Sequence, residues 1–258
     1  MKRLSRTFLT LFLTFGIVVS TFLMSGIESH ASGGQVLNNS AQVANLVFKG
    51  YNNGVYGPVS ITNGILVQGR KNTKVYLVTL SGTENVRNQT TGYLTDLLSG
   101  FNQKNKYYTN VSSIIQKNIP TGSNLILAGH SLGGMIAQQI AADWTIKWKY
   151  NILNTVCFGS PLLSAGSREG IVKRLGDTSD VIPYCSGSLI NNTVWAIAGL
   201  QRENGGYGKD VYNAHVQSYL REDEWGNYDV TGTKYGGAKL IIYPQTTKFY
   251  HSSVIVTR

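Results

Sequence analysis

Cysteine is scarce: Cys157 and Cys185 are the only two in 258 residues. A scaffold stapled by several disulfides is therefore excluded, and a chain of this length buries enough apolar surface to fold without cross-links. Whether these two pair stays open in the sequence, because Cys157 lies in an apolar run where a buried free thiol is as natural as a bridge. Acidic residues are also few, 13 against 23 Lys and Arg, which leaves a formal net charge of +10. The basic residues are spread singly, and neither an aromatic-basic cluster nor a nucleic-acid motif is present, so nucleic acid is not an expected partner. The charge reads either as a solubility device or as attraction to anionic cell walls and lipid head groups. Internal repeats, low-complexity tracts and interdomain linkers are absent.

The first thirty residues differ from the rest. Lys2, Arg3 and Arg6 form a basic start, Phe8 to Met24 is nearly uncharged and apolar, and Ser29-His30-Ala31 offers small residues for cleavage. This is the pattern of a secretory signal peptide. A retained anchor competes with it, since Thr7 to Ile27 approaches the roughly 20 residues that span a bilayer, but scattered Thr, Ser and Gly weaken that reading. Cleavage after Ala31 would release Ser32–Arg258, 227 residues with a net charge of +8, as a single secreted domain.

Within that domain, Val36 to Lys49 reads as an amphipathic helix ended by Gly50. Ile61 to Val67 and Val75 to Leu80 read as a hairpin. A helix over Tyr107 to Lys117 is broken at Pro120-Thr121-Gly122, and a short strand, Asn124 to Ala128, follows. Leu132 to Tyr150 reads as one long helix, Ile152 to Phe158 as a strand, Ile171 to Leu175 as a weaker one, and Lys239 to Tyr243 as an antiparallel edge strand. Strands alternating with helices predict a mainly parallel sheet with helices on both faces.

Chemistry enters at Gly129-His130-Ser131-Leu132-Gly133. A Gly-x-Ser-x-Gly match alone is weak in a chain with 29 glycines, and its setting decides. Leu125 to Ala128 is a buried-strand run directly before it, and Gly133-Gly134-Met135-Ile136-Ala137 opens a helix directly after it. Such a strand-to-helix turn thrusts the serine hydroxyl out of the sheet. It also sets the Leu132 N–H at a helix N-terminus, where negative charge on an attacked carbonyl is favoured. Ser81-Gly82-Thr83 ends an earlier strand in the right place for a second oxyanion donor, and Thr83 is the candidate.

Serine needs a base to take its proton. His130 sits inside the turn, which leaves His215 and His251. His215, at the mouth of a short helical run, is the stronger candidate. Among carboxylates that could orient it, Asp143 lies on the helix after the serine, three turns away. Asp177 and Asp180 follow a strand, where loops of open α/β sheets gather their functional groups.

In this order the residues resemble the class 3 lipase family, which includes fungal triacylglycerol lipases, from about Val43 to Leu220. The landmarks are Ser81-Gly82-Thr83 with Leu94-Thr95-Asp96-Leu97; Gly129-His130-Ser131-Leu132-Gly133-Gly134; Phe158-Gly159-Ser160-Pro161; Asp180-Val181-Ile182-Pro183; and His215 with Ser218-Tyr219-Leu220. The resemblance implies an α/β-hydrolase fold, a Ser131–Asp180–His215 triad, oxyanion donors at Thr83 and Leu132, and hydrolysis of a lipid or similar acyl ester without metal or cofactor. Phospholipase A1-type activity and a non-catalytic wall- or membrane-binding protein are the alternatives. The chain departs from the family at Ser81, where an Arg-Gly-Ser/Thr motif is common. The polar segment Glu84 to Gly92 makes a poor apolar lid, and Val194 to Leu200 is the more apolar candidate for a pocket wall or flap.

Overall fold

Alternation of apolar residues along the central strands dictates the layering of this protein. In the computed structural model, which describes residues 33–51, 57–82, 105–185 and 199–252, successive side chains of each strand enter two different cores. Leu125 and Leu127 face one, and Ile126 and Ala128 face the other. That is the period-two signature of strands buried on both faces.

Among the described residues the sheet has nine strands: β1 (Gln35–Leu37), β2 (Val59–Gln68), β3 (Lys71–Leu80), β4 (Asn124–His130), β5 (Asn151–Phe158), β6 (Ile171–Asp177), β7 (Leu200–Glu203), β8 (Lys239–Ile242) and β9 (Lys248–Tyr250). Their order is β1-β8-β2-β3-β4-β5-β6-β7, with β9 also paired to β2. From β3 to β7 every neighbouring pair is parallel. β2 is antiparallel to β3, β8 and β9. Gly69, at φ +59°, turns the β2–β3 hairpin.

One face is covered by α2 (Lys106–Asn118), α3 (Leu132–Ala142) and α4 (Trp144–Lys149). The other is covered by α1 (Ser40–Phe48) and by the aromatic group Tyr219, Trp225 and Tyr228 around the short α6 (Glu222–Trp225). A further short helix, α5 (Val211–Val216), lies between them in sequence. Val36–Arg258 forms one compact unit. Among the described residues no helix is long and apolar enough to cross a membrane.

The structure corrects three expectations. The helix expected from Val36 starts at Ser40, capped by the Asn39 side chain on the Gln42 N–H, and Val36-Leu37 belong to a strand. The long helix from Leu132 breaks at Asp143, whose carboxylate accepts from the Ile146 N–H and starts α4. β8 is not an edge strand, since it lies between β1 and β2. The expected signal segment lies outside the described residues.

Trp225 anchors the second core. It is fully buried, stacks on Tyr219 at 5.7 Å between ring centroids, and donates its Nε1–H to Ser218 Oγ at 3.2 Å. Replacing it by Ala should cost about 3–5 kcal/mol. Urea denaturation monitored by circular dichroism checks this, and a loss below about 1 kcal/mol would contradict the packing role assigned to it.

Candidate active site

β4 and α3 meet at Ser131 with φ +55° and ψ −124°, a conformation that only a surrounding structure can impose on a residue with a Cβ. The Ser131 N–H is tied to the Phe158 carbonyl at 2.9 Å, and its own carbonyl accepts from the Gly134 and Met135 N–H groups. The turn is this sharp because α3 presses on the sheet. A Cβ at Gly133 would collide with the backbone of Leu80 and Ser81. Leu132 is the first residue of α3, so its N–H is among the donors that a helix start leaves without an intrahelical acceptor.

Asp180 and His215 come together in the structure. The His215 Nδ1–H donates to Asp180 Oδ2 at 2.8 Å, with His215 3% exposed and Asp180 fully buried. This bond fixes the tautomer and leaves Nε2 as the basic nitrogen. The carboxylate is otherwise satisfied by the Tyr219 hydroxyl on Oδ2 at 2.6 Å and the Ile182 N–H on Oδ1 at 3.0 Å. Gly159, at φ +53°, follows Phe158 past the end of β5, and a Cβ there would press on Asp180 Oδ2, Tyr219 and His215 Cε1. The imidazole and the carboxylate thus pack against the same strand end that holds the Ser131 N–H.

The remaining candidates fall elsewhere or outside. His251 follows β9 and is exposed. Asp143 caps α4. Thr83 lies outside the described residues, but Gly82 before it is packed so closely that a Cβ there would come within 3.0 Å of Ser131 Cβ. Glu84 to Gly92, Leu94 to Leu97 and most of Val194 to Leu200 also lie outside them. Cys157 and Cys185 are both free thiols. Cys157 donates weakly to the Gly134 carbonyl, and burial pushes its thiol up to about 12.

Sequence reasoning missed a supporting layer. Tyr51 accepts a hydrogen bond from the Gly82 N–H at 2.5 Å and donates to His130 Nδ1 at 2.7 Å. His130 Nε2–H then donates to the His215 carbonyl at 2.8 Å, and the two imidazole rings lie 4.6 Å apart. This chain requires a neutral His130, and burial first, then the neighbouring His215, holds its pKa well below the usual histidine value. It joins the Gly82 loop to the segment bearing His215. No local signal marks Tyr51, whereas Tyr219 stands four residues after His215, one helical turn on.

Behind Tyr219 lies a second carboxyl layer. Asp177, the other acid candidate, gives its backbone N–H to the Tyr219 oxygen at 3.2 Å, while its carboxylate accepts from the Ser179 and Gly205 N–H groups. Glu224 accepts from Ser218 Oγ at 2.6 Å through Oε1, and its Oε2 lies 3.8 Å from the Arg221 guanidinium. A Cβ at Gly205 would collide with both Glu224 Oε2 and Asp177 Oδ2. Arg174, also buried, donates to the Ser160 and Pro183 carbonyls and so ties the loop after β5 to the turn after Asp180. Burial brings its guanidinium down to about 10. Among the described residues, no group of three or more His, Cys, Asp or Glu is placed to hold a metal.

Burial, followed by the neighbouring Asp177, pushes the Glu224 carboxyl up to about 7. A carboxyl raised on folding contributes stability below its unfolded value, near 4.5, and loses it as pH rises to about 7. Glu224→Gln should therefore match the parent near pH 4 and exceed it at pH 8 by on the order of 1 kcal/mol. Thermal melts across pH 4–8 check this, and parallel curves for the two proteins would contradict it.

No protein-family model matches the chain, and no curated protein does. Among solved structures it is similar to a crystal structure of M37 lipase, at 14% identity over 60% of this chain and 64% of that one, with a TM-score of 0.28. The chain thus matches less than two thirds of that structure's length.

Proposed function

We propose that this protein is a serine carboxylic-ester hydrolase of the α/β-hydrolase fold, acting through an acyl-serine intermediate. The observation that carries this reading is the conjunction of Ser131, strained at φ +55° on a strand-to-helix turn, with the buried Asp180–His215 pair beside the end of β5. Nucleophile, base and orienting acid occur in the chain order of that fold.

In this reading His215 Nε2 takes the Ser131 proton as Oγ attacks the ester carbonyl, and Asp180 stabilises the imidazolium. The Leu132 N–H and the positive end of α3 stabilise the oxyanion, with Thr83 as the second donor. His215 then returns the proton to the departing alcohol. Water, activated by the same imidazole, releases the carboxylic acid and restores the serine. Neither metal nor cofactor enters these steps.

The substrate proposed is a lipid or similar acyl ester. Exposed apolar side chains adjoin both partners of the pair in sequence: Val181 follows Asp180, and Val211 and Tyr212 precede His215. They supply an apolar rim suited to an acyl chain or lipid interface. The basic net charge favours a second reading, phospholipase A1-type cleavage of anionic membrane lipids, while nucleic acid is not an expected partner. The basic-apolar leader supports secretion of a single hydrolase domain, 32–258, after cleavage near Ala31.

Ser131→Ala should lower kcat on aryl esters by roughly 10⁶-fold, and Asp180→Asn by roughly 10⁴-fold. Aryl esters of graded chain length, with labelling by an alkylphosphonate and mass mapping, test the reaction class. Absence of turnover together with absence of label on Ser131 would overturn it. Release of fatty acid from phosphatidylglycerol in preference to triacylglycerol would select the phospholipase reading.

A further inference from the structure

The end of the fold remote from Ser131 carries a feature that ester hydrolysis does not use. α3 runs 11 residues from Ser131, about 16 Å at 1.5 Å per residue, and α4 begins just beyond its far end. On α4, Ile146 is fully buried and holds the helix down. Trp144 and Trp148, one turn apart, point outward at 72% and 77% exposure, with ring centroids 5.8 Å apart and planes inclined by 33°. Folding gains little from two indoles left in water, so their apolar faces remain available to a ligand.

At the start of α4 lies an open groove of about 540 Å³ whose surface is mainly apolar but carries polar side chains; it is lined by Tyr108, Thr109, Ser112, Gln116 and Lys117 of α2 and by Asp143, the cap that precedes Trp144. Hydrogen bonds tie the groove to the helix that carries the tryptophans. Lys149 of α4 donates to Gln116 Oε1 at 2.7 Å, and Gln116 donates to Ser112 Oγ at 3.1 Å. Lys117 lines the groove beside Asp143, Lys149 reaches Gln116 and Lys147 reaches the Ser167 carbonyl, while Glu169, whose N–H is bonded to the Ala141 carbonyl, adds a second carboxylate; three ammonium groups against two carboxylates leave the area positive.

We propose that the Trp144–Trp148 pair and this groove form an ancillary carbohydrate site that holds a polysaccharide strand bearing acidic groups. Aromatic faces stack on the C–H faces of pyranose rings, and two neighbouring indoles can take successive sugars of one strand. Hydroxyl, amide and phenol groups in the groove match a polyhydroxylated ligand, and the lysines match its negative charge. A lipid layer suits the same surface less well. Insertion would bring the charged Lys117 and Asp143 to the interface and turn the Ser131 end away from the bilayer. Strand binding at this end leaves the Ser131 end open and holds the protein on the material that carries the polymer.

The test is co-sedimentation of the full chain with insoluble peptidoglycan bearing its anionic polymer, with neutral cellulose, and with phosphatidylglycerol vesicles. The comparison is between the parent and the double variant Trp144→Ala/Trp148→Ala. Parent binding to the charged glycan, weakened at least tenfold in a double variant of unchanged melting temperature and unchanged aryl-ester turnover, is the expected result. Absence of parent binding to the glycan, or equal binding by both proteins, would overturn the site. A tryptophan-dependent shift to vesicles alone, or a parent dimer in sedimentation velocity that the double variant dissolves, would assign the surface to lipid or to a second copy and overturn it equally. Because binding is read without catalysis, loss of the esterase reading would leave this result intact.

Discussion

Everything near Ser131 is organised by one buried charge. The Asp180 carboxylate is wholly removed from water, and an ionised carboxylate left unsatisfied there would be far too costly to keep. Three donors hold it: the Ile182 N–H from the turn after β6, the Tyr219 hydroxyl from the segment after α5, and His215 Nδ1–H from α5 itself. Satisfying that charge forces segments far apart in sequence to converge beside Gly159, and the imidazole is oriented as a by-product. Removing a donor would do more than weaken a bond, since it would leave the charge partly unpaired.

The same network distributes polarity outward in shells. Tyr219 is shared between Asp180 and the backbone of Asp177, and burial followed by Asp180 raises its phenol well above the ordinary value. It therefore stays a neutral donor at any physiological pH. Asp177 in turn stands beside Glu224, whose carboxyl is raised to about 7 by burial and by Asp177. On the opposite side, Tyr51 and His130 form a neutral chain. The innermost acid is thus met by three donors, while its flanks carry groups that resist becoming charged.

Much of this was legible in the residues, for identifiable reasons. The nucleophile turn could be read because its strand is uniformly apolar and its helix begins with small residues, both strictly local signals. Asp180 and Asp177 could not be separated by spacing alone, because both stand at the end of the same strand; only the hydrogen bonds from Tyr219 and His215 to the Asp180 carboxylate distinguish them. The break at Asp143 was hidden because apolar spacing continues through Ile140 and Ile146, while the break is made by one capping carboxylate. Tyr51 was invisible, as its role arises from packing against His130, 79 residues away. β8 looked like an edge from its position late in the chain, but long-range pairing, which sequence periodicity does not encode, put it inside the sheet.

That interior position of β8 has a consequence for how the protein comes into being. β2 waits with an open row of backbone donors and acceptors until Lys239–Ile242 and Lys248–Tyr250, far later in the chain, arrive to pair with it. Synthesis delivers those residues after every other described strand of the sheet, so β2 stays half-paired until they emerge. A nascent or prematurely stopped chain presents an unpaired strand, the surface most prone to stick to its own kind. The completed sheet is in this sense a checkpoint: a chain that has not yet reached Tyr250 cannot hide its own adhesive edge.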